Sequence, residues 1–138
     1  MVDVSAGTKD GEVIKYENLA DEAVGHIAGD LKFVIRQVPH EFFVRKDDDL
    51  LMNLQITLTE ALLGFAKPVA HLDGRQVIIE KRTVSYANEV FVVKGEGMRK
   101  KSRSSTKQFG DLQVTLNIVF PKKLTDRQKS LIQQALLD

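Results

Sequence analysis

Alternation of apolar and polar residues is the feature that most limits what this 138-residue chain can fold into. Over 50–58 every second residue is apolar, and Asn53, Gln55 and Thr57 fill the positions between them. Successive side chains of a strand point to opposite faces, so this stretch predicts a half-buried strand. The same alternation returns over 112–120. Two such strands predict a mainly β fold.

Shorter strands and a short helix are predicted between and around these two segments. Thr59 is expected to cap a helix over Glu60–Leu63, and Gly64 is expected to end it. β-Branched and aromatic residues concentrate in four further stretches, which predict strands. These are 12–16, 31–38, 76–82 and 88–93.

The last residues predict a second helix, over 126–137. Thr125 and Gln128 have the spacing of a capping box, in which each side chain accepts a hydrogen bond from the other residue's backbone. About 12 residues are marginal as an isolated helix, so its apolar stripe must pack on a partner surface. The stripe consists of Leu131, Ile132, Ala135 and Leu136.

The chain also contains an internal repeat. "EVIKY" (12–16) precedes "GDLKFVI" (29–35), and "EVFVV" (89–93) precedes "GDLQVTL" (110–116). Two ordered matches favour a duplicated β unit. Because strand-like sequence precedes the second copy but almost nothing precedes the first, the chain is expected to begin partway through its first β domain.

The expected architecture is a small β-sandwich-like domain with a short helix and a C-terminal helix, preceded by part of a second, similar β domain. Pro39 cannot donate a ladder hydrogen bond and marks the boundary, and 45–49 suits an exposed turn. The predicted limits are 1–41 for the truncated first domain, 42–124 for the second and 125–138 for the C-terminal helix.

One short stretch, "TEALLGF…HLDGR", brings Glu60, His71, Asp73 and Arg75 close together in the sequence. Asp73-Gly74 predicts a tight two-residue hairpin turn, because glycine tolerates positive φ. Glu60 suits the first turn of a helix, where a carboxylate favours the helix dipole. No Ser or Cys nucleophile motif lies beside them, so a structural turn is favoured over a catalytic cluster, and no enzyme activity is expected.

No metal site or cofactor is expected. The three histidines, His26, His40 and His71, lack metal-ligand spacing, and Asp47-Asp48-Asp49 lacks the alternating ligands of a calcium loop. The chain has no Cys, which excludes disulfides, thiolate zinc sites and a cysteine nucleophile. No apolar run is long enough for a membrane helix.

Nucleic-acid binding is a weak alternative. The net charge is +1, so no strong global field attracts a polyanion. The loop 99–107 is basic, but no aromatic residue is interleaved for base stacking, and a solvated loop is favoured. Gly95-Glu96-Gly97 before it lacks the residues that complete a phosphate loop.

The strand predicted over 31–38 is apolar on both sides. Leu31, Phe33 and Ile35 share one face, and Val34 and Val38 lie on the other. Such a strand is either buried between two layers or exposes a groove to a ligand. Burial in the core is favoured from the sequence alone.

These motifs resemble those of the C-terminal peptide-binding region of DnaJ-type J-domain co-chaperones. The resemblance rests on an ordered series: GDL, a hydrophobic strand, a His-containing hinge, F-x-R, D-L, E-A-L-x-G and LDG. A G-x-G-M element, a second GDL, a Phe-Pro pair and a C-terminal helix follow. In this chain the G-x-G-M element is 95–98, the second GDL is 110–112 and Phe-Pro is 120–121.

The resemblance implies two consecutive β-rich domains that bind unfolded or hydrophobic polypeptide segments and deliver them to the seventy-kilodalton heat-shock chaperone. It places Phe33 in the peptide groove of the first domain, with Leu31 and Ile35 on the same face. Most of the groove, including its basic residues, is expected from strands upstream of residue 1. Because the His-Pro-Asp motif of a J domain is absent, these residues are not expected to stimulate ATP hydrolysis.

The resemblance also implies a homodimer joined through its C-terminal end, with Leu131, Ile132, Ala135 and Leu136 as the interface. No membrane partner is expected. The compartment stays open between the cytoplasm and the endoplasmic reticulum lumen, and the linker 20–31 leans slightly towards the latter. A purely structural dimerisation module remains an alternative function.

Overall fold

The computed structural model describes residues 3–20, 29–101 and 107–137. The described residues are mainly β, as the alternation predicts, with one short helix in mid-chain and one at the C-terminus. In chain order the elements are β1 (Val13–Ala20), β2 (Gly29–Val34), β3 (Val44–Lys46), β4 (Asp49–Thr57), α1 (Leu58–Leu63), β5 (Phe65–Ala70), β6 (Gln76–Lys81), β7 (Val90–Val93), β8 (Leu112–Val119) and α2 (Asp126–Ala135).

The strands form three sheets. β1 pairs with β2, β5 pairs with β6, and the largest sheet has the order β3-β4-β8-β7. The two long strands predicted from alternation are therefore confirmed as β4 and β8, and they are neighbours at the centre of the largest sheet. Their even-numbered apolar residues supply most of the buried side chains, namely Leu50, Met52, Ile56, Leu112, Val114 and Leu116.

The chain divides into two compact units. The first consists of Met1–Met52 and Val92–Gln113, and the second of Asn53–Phe91 and Val114–Asp138. Phe43 adds to the buried side chains of the first unit; Ala61, Phe65 and Ile79 add to those of the second. The predicted limits 1–41, 42–124 and 125–138 remain a prediction.

The start of α1 differs from the prediction. Thr57, not Thr59, is the N-cap, and its side chain accepts a hydrogen bond from the backbone of Glu60 over 3.1 Å. Glu60 returns the bond by accepting from the backbone of Thr57 over 2.9 Å. Thr57 is the N-cap because it stands three residues before a glutamate, the spacing that a capping box requires, and Thr59 does not. Gly64 ends the helix, as predicted.

Several strand limits also differ from the predictions. β2 ends at Val34 rather than at residue 38, and β3 occupies part of the predicted exposed turn 45–49. The turn is confined to Asp47 and Asp48, because Lys46 already pairs with Asp49. β5, which the sequence patterns above did not predict, begins directly after Gly64 and ends at Ala70.

The hairpin between β5 and β6 forms where Asp73-Gly74 predicts it, but its loop has three residues. His71 closes it by donating its backbone N–H to the carbonyl of Arg75 over 2.8 Å. Gly74 donates to the carbonyl of His71 over 3.0 Å and has a φ of 86°. A turn followed by a residue at positive φ is the usual three-residue hairpin, and only the glycine adopts that φ without strain.

The first copy of the repeat begins with a turn and a β-bulge. Glu12 donates its backbone N–H to the carbonyl of Lys9 over 3.2 Å. Gly11, at a φ of 84°, donates to the carbonyl of Ile35 over 2.8 Å, and Ile35 donates to that of Glu12 over 2.8 Å. Two residues opposite one, with the first at positive φ, form a G1 bulge. This bulge ends the regular pairing of β1 with β2.

The second copy has the same arrangement. Glu89 donates to the carbonyl of Tyr86 over 3.2 Å. Asn88, at a φ of 60°, donates to Leu116 over 3.0 Å, and Leu116 donates to Glu89 over 2.9 Å. Asparagine is one of the few residues besides glycine that tolerates this φ. The matching hydrogen bonds support the duplication predicted from the sequence.

Candidate functional site

An apolar face on β2 is the first candidate site. Phe33 pairs with Ile14 across the two-stranded sheet, so these two side chains share a face. Residues two apart on a strand also share a face, which adds Leu31 and Ile35. Leu31 is 38% exposed and Phe33 is 37% exposed, while Ile14 and Ile35 are half-buried. The structure therefore brings together Leu31, Phe33 and Ile35, here named the β2 face.

The opposite side of the same two strands is of mixed character. Val13 pairs with Val34, and Lys15 pairs with Lys32. Both valines are exposed. The β2 face is therefore the more continuous apolar side of this sheet.

The equivalent face in the second copy of the repeat is buried. Aligning the two GDL motifs places Leu112, Val114 and Leu116 at the positions of the β2 face, and all three have 0% exposure. The second copy uses this face as core. Burial, which the sequence favours for both copies, is thus found at the second, while the first leaves Leu31 and Phe33 more than a third exposed.

The second candidate site is α2 with the groove beside it. The helix has the predicted capping box: Gln128 donates its backbone N–H to Thr125 Oγ1 over 3.1 Å, and Thr125 donates to Gln128 Oε1 over 2.8 Å. None of its residues is buried. The predicted apolar stripe, Leu131, Ile132, Ala135 and Leu136, is exposed.

A groove of about 520 Å³ lies along this helix. Leu131 and Ile132 line it, whereas Ala135 and Leu136 do not. Its other apolar walls come from α1, the end of β8 and the segment before α2, which sequence reasoning missed. The spacing of Leu58, Leu62 and Leu63 in α1 was the sequence signal that could have indicated an apolar helix surface there. These walls are Leu58, Leu62, Leu63, Val119, Pro121 and Leu124.

The polar residues of "TEALLGF…HLDGR" make local bonds. Glu60 caps α1 and pairs with Lys67 Nζ at 3.0 Å. Asp73 bonds to the side chain and the backbone of Arg75 within the hairpin loop. The His71 ring accepts the backbone N–H of Leu72 over 2.8 Å. The hydrogen bond from the Thr57 N–H lowers the pKa of the Glu60 carboxyl. The hydrogen bond from the Arg75 side chain lowers the pKa of the Asp73 carboxyl.

The glycine motifs of the sequence meet backbone to backbone. Gly97 donates to the carbonyl of Gly110 over 2.8 Å, and Gly110 donates to that of Met98 over 2.9 Å. A Cβ on Gly110 would come within 2.0 Å of the carbonyl oxygen of Asp48. Asp111 then accepts the backbone N–H of Gly95 over 3.0 Å. G-x-G-M and GDL are thus structural contacts that fix a loop.

No group of three or more His, Cys, Asp or Glu side chains in the described ranges is placed to hold a metal ion. His40 instead accepts the backbone N–H groups of Phe42 and Phe43 at 3.0 and 3.3 Å. His26 and the centre of the basic loop, 102–106, lie outside the described residues. Neither helix in the described part of the chain has the length and apolar character needed to cross a bilayer.

The described residues form a mainly β fold with two exposed apolar surfaces, and comparison with known proteins gives its family. The family model for the DnaJ C terminal domain matches residues 1–121. The chain belongs to the DnaJ C-terminal domain family.

Its relatives carry DnaJ names. It is 44% identical over 133 residues to the DnaJ protein ERDJ3B of Arabidopsis thaliana, covering 96% of this chain and 38% of that protein. It is 41% identical over 135 residues to the ERDJ3B of Oryza sativa subsp. japonica, covering 98% and 38%. It is 35% identical over 136 residues to DnaJ homolog subfamily B member 11 of Rattus norvegicus, covering 98% and 37%. The chain spans less than two fifths of the length of these relatives.

Proposed function

We propose that this chain is the client-binding and dimerisation region of a J-domain co-chaperone. It binds hydrophobic segments of unfolded polypeptides, and the whole protein delivers them to the seventy-kilodalton heat-shock chaperone. Family membership supports the co-chaperone role. The observation that carries client binding is the open β2 face, where Leu31 and Phe33 are more than a third exposed while their counterparts Leu112 and Val114 are buried.

The β2 face suits clients of many sequences. Leu31, Phe33 and Ile35 offer apolar contact on a pleated surface, where an extended segment inserts alternate side chains. Few polar groups constrain which segment binds, so the affinity of one site is modest. Two sites on one dimer raise the overall affinity, because the second contact becomes intramolecular.

Dimerisation is proposed to use α2 and the groove beside it. Leu131 and Ile132 on α2, and Leu136 at its C-terminal cap, are exposed apolar residues, and no residue of this helix is buried. A helix of this length gains most of its stability from packing its apolar face. A second copy of α2 supplies such a surface, and the groove adds its own apolar walls.

The region is proposed to hold and release clients without catalysing a covalent step. Glu60, His71, Asp73 and Arg75 are engaged in cap and turn bonds, which supports a structural role for the one polar cluster that resembled an active site. The endoplasmic reticulum lumen is the compartment proposed for the parent protein, following the linker 20–31. Fluorescence microscopy of the tagged full-length protein tests the compartment.

Fluorescence anisotropy with a labelled, unstructured apolar peptide tests client binding. Saturable binding by the 138-residue chain is expected, and a charged peptide of the same length is expected to bind much more weakly. A chain that dimerises yet never binds the apolar peptide contradicts the proposal. That result fits the second candidate, a purely structural dimerisation module, which the exposed stripe on α2 favours.

A further inference from the structure

β7 is an edge strand without the usual protection. It ends the sheet order β3-β4-β8-β7, so one of its long sides has no strand partner among the described residues. Its sequence, Val-Phe-Val-Val, contains no charged residue and no proline. Natural edge strands carry such residues because an uncharged edge pairs with other chains.

The other edge strands of the described sheets follow that rule. Each has at least one charged residue, and β5 also has a proline. β7 therefore stands out among the described edges. The charged residues and the proline at the other edges include Lys15 in β1, Lys32 in β2, Arg45 and Lys46 in β3, Lys67 and Pro68 in β5, and Glu80 and Lys81 in β6.

The β-bulge fixes which backbone groups of β7 face outwards. Glu89 accepts the hydrogen bond from Leu116 of β8. Bonded and non-bonded positions alternate along an antiparallel ladder, so Phe91 turns its backbone groups towards β8. Val90 and Val92 then turn theirs towards the free edge. Their side chains are also open, at 54% and 42% exposure.

We propose that β7 binds an extended, uncharged apolar segment of an unfolded polypeptide as an added strand, forming a client site separate from the β2 face. This inference rests on the proposed client binding. The bound segment pairs its backbone with Val90 and Val92 and places alternate side chains beside theirs. The absence of charge on β7 favours apolar segments over acidic or basic ones.

The length of β7 favours a transient peptide over a second copy of this chain. Four residues at about 3.3 Å each give an edge roughly 13 Å long. An added strand of this length buries on the order of a few hundred Å² per partner, so the total over both partners stays below the roughly 1,200 Å² that a stable complex needs. A rapidly released segment fits this area, and a permanent dimer does not.

Amide-resolved NMR and hydrogen exchange of the 138-residue chain, with the same apolar peptide, test the site. We expect the peptide to shift and protect the amides of Val90 and Val92 as well as to shift those of the β2 face. Phe33→Ala should weaken binding at the β2 face and leave the β7 changes. Val92→Lys should weaken binding at β7 at least about tenfold, because a lysine blocks strand addition at an edge.

Val44→Lys is the matched control. Val44 is 62% exposed on the edge strand β3, which already carries two charges, so both sets of changes should persist. Urea unfolding confirms that each variant is folded. Shifts at the β2 face without any at β7 overturn this inference and leave the proposed function standing. No shift at either site contradicts both. Protection of Val90 and Val92 that grows with protein concentration, without peptide, overturns the inference in favour of self-association.

Discussion

Glu12 and Glu89 hold the same position in two copies of one turn. Each side chain accepts a backbone N–H at the start of its own turn, from Lys9 and from Tyr86, both over 3.1 Å. The other carboxylate oxygen of each glutamate pairs with a lysine, and the two ion pairs differ in burial. Glu12 pairs with Lys101 at 2.6 Å, and these side chains are 31% and 50% exposed. Glu89 pairs with Lys81 at 3.1 Å, and both of those side chains are only 12% exposed.

The two glutamates are therefore expected to differ in their contribution to stability. Glu89→Ala leaves Lys81 nearly buried beside only Ser85 and the carbonyl of Val84. Removing one partner of a buried ion pair costs about 3 kcal/mol. Glu12→Ala removes the same turn bond at an exposed site, where solvent screens the pair, and should cost much less. Urea unfolding of both variants measures the difference, and equal losses would show that the burial of Lys81 is unimportant.

Acid is expected to destabilise the loop that Asp111 fixes. The N–H of Gly95, and then Lys94, lower the pKa of the Asp111 carboxyl. The folded pKa lies below the unfolded value of about 3.9, so the unfolded state binds more protons in acid. The stability from this carboxylate is present above the unfolded pKa and is lost as the pH falls through the folded pKa.

Urea midpoints between about pH 6 and pH 2 test this dependence. Asp111→Asn should flatten the acid limb of the curve relative to the unaltered chain. Asp3→Asn serves as the control, because it lies outside this loop. An acid limb that Asp111→Asn leaves unchanged would show that Asp111 does not contribute to it.

Phe33→Ala is expected to weaken client binding. It removes the aromatic ring at the centre of the β2 face, while its 37% exposure limits the loss of folding stability. In a full-length protein, suppression of client aggregation should fall and the dimer should stay intact. Val34→Ala, on the opposite face of β2, is the control. Equal suppression by Phe33→Ala and the unaltered protein would count against the β2 face.

Loss of α2 is expected to abolish the dimer. A chain ending at Lys123 lacks the whole apolar stripe, and light scattering should report a monomer. Leu131→Asp should act in the same direction, because it places a charge in the groove lining. Gln133→Asp, on the same helix but outside that lining, should leave the mass unchanged. Identical masses for the shortened and complete chains would mean that α2 is not the interface.

Gly110→Ala is expected to distort the contact between the glycine motifs. Its Cβ would lie 2.0 Å from the backbone oxygen of Asp48, which cannot rotate away. Overpacking of this kind costs about 2 kcal/mol or more. Gly11→Ala, which has positive φ but open space around it, should cost about 1 kcal/mol through backbone strain alone. Thermal unfolding that ranks them in the opposite order would contradict this reading.

Local patterns predicted the elements well where each depends on neighbouring residues. The alternation found β4 and β8, and Thr125 with Gln128 found α2, because pleating and capping act over a few positions. The cap of α1 was predicted wrongly at Thr59, because the three-residue spacing between Thr57 and Glu60 was not taken into account. β3 was missed because three residues are too few to show a period.

The sites depend on residues far apart in the sequence. The β2 face was predictable, since Leu31 and Phe33 lie two apart on β2 and Ile35 follows its last residue. The groove beside α2 joins α1, β8 and the segment around Pro121, and no sequence period connects these elements. The sequence favoured burial of Leu31 and Phe33, but both are exposed. A sequence does not show which layer covers a strand.

The buried Leu112, Val114 and Leu116 give the duplication an evolutionary consequence. Substitution at these positions is constrained by the need to fill an interior. At Leu31 and Phe33, the matching positions of the first copy, exposure relaxes much of that constraint. Under the proposed function, substitutions there would change which polypeptides bind, while the buried face of the second copy would preserve its fold.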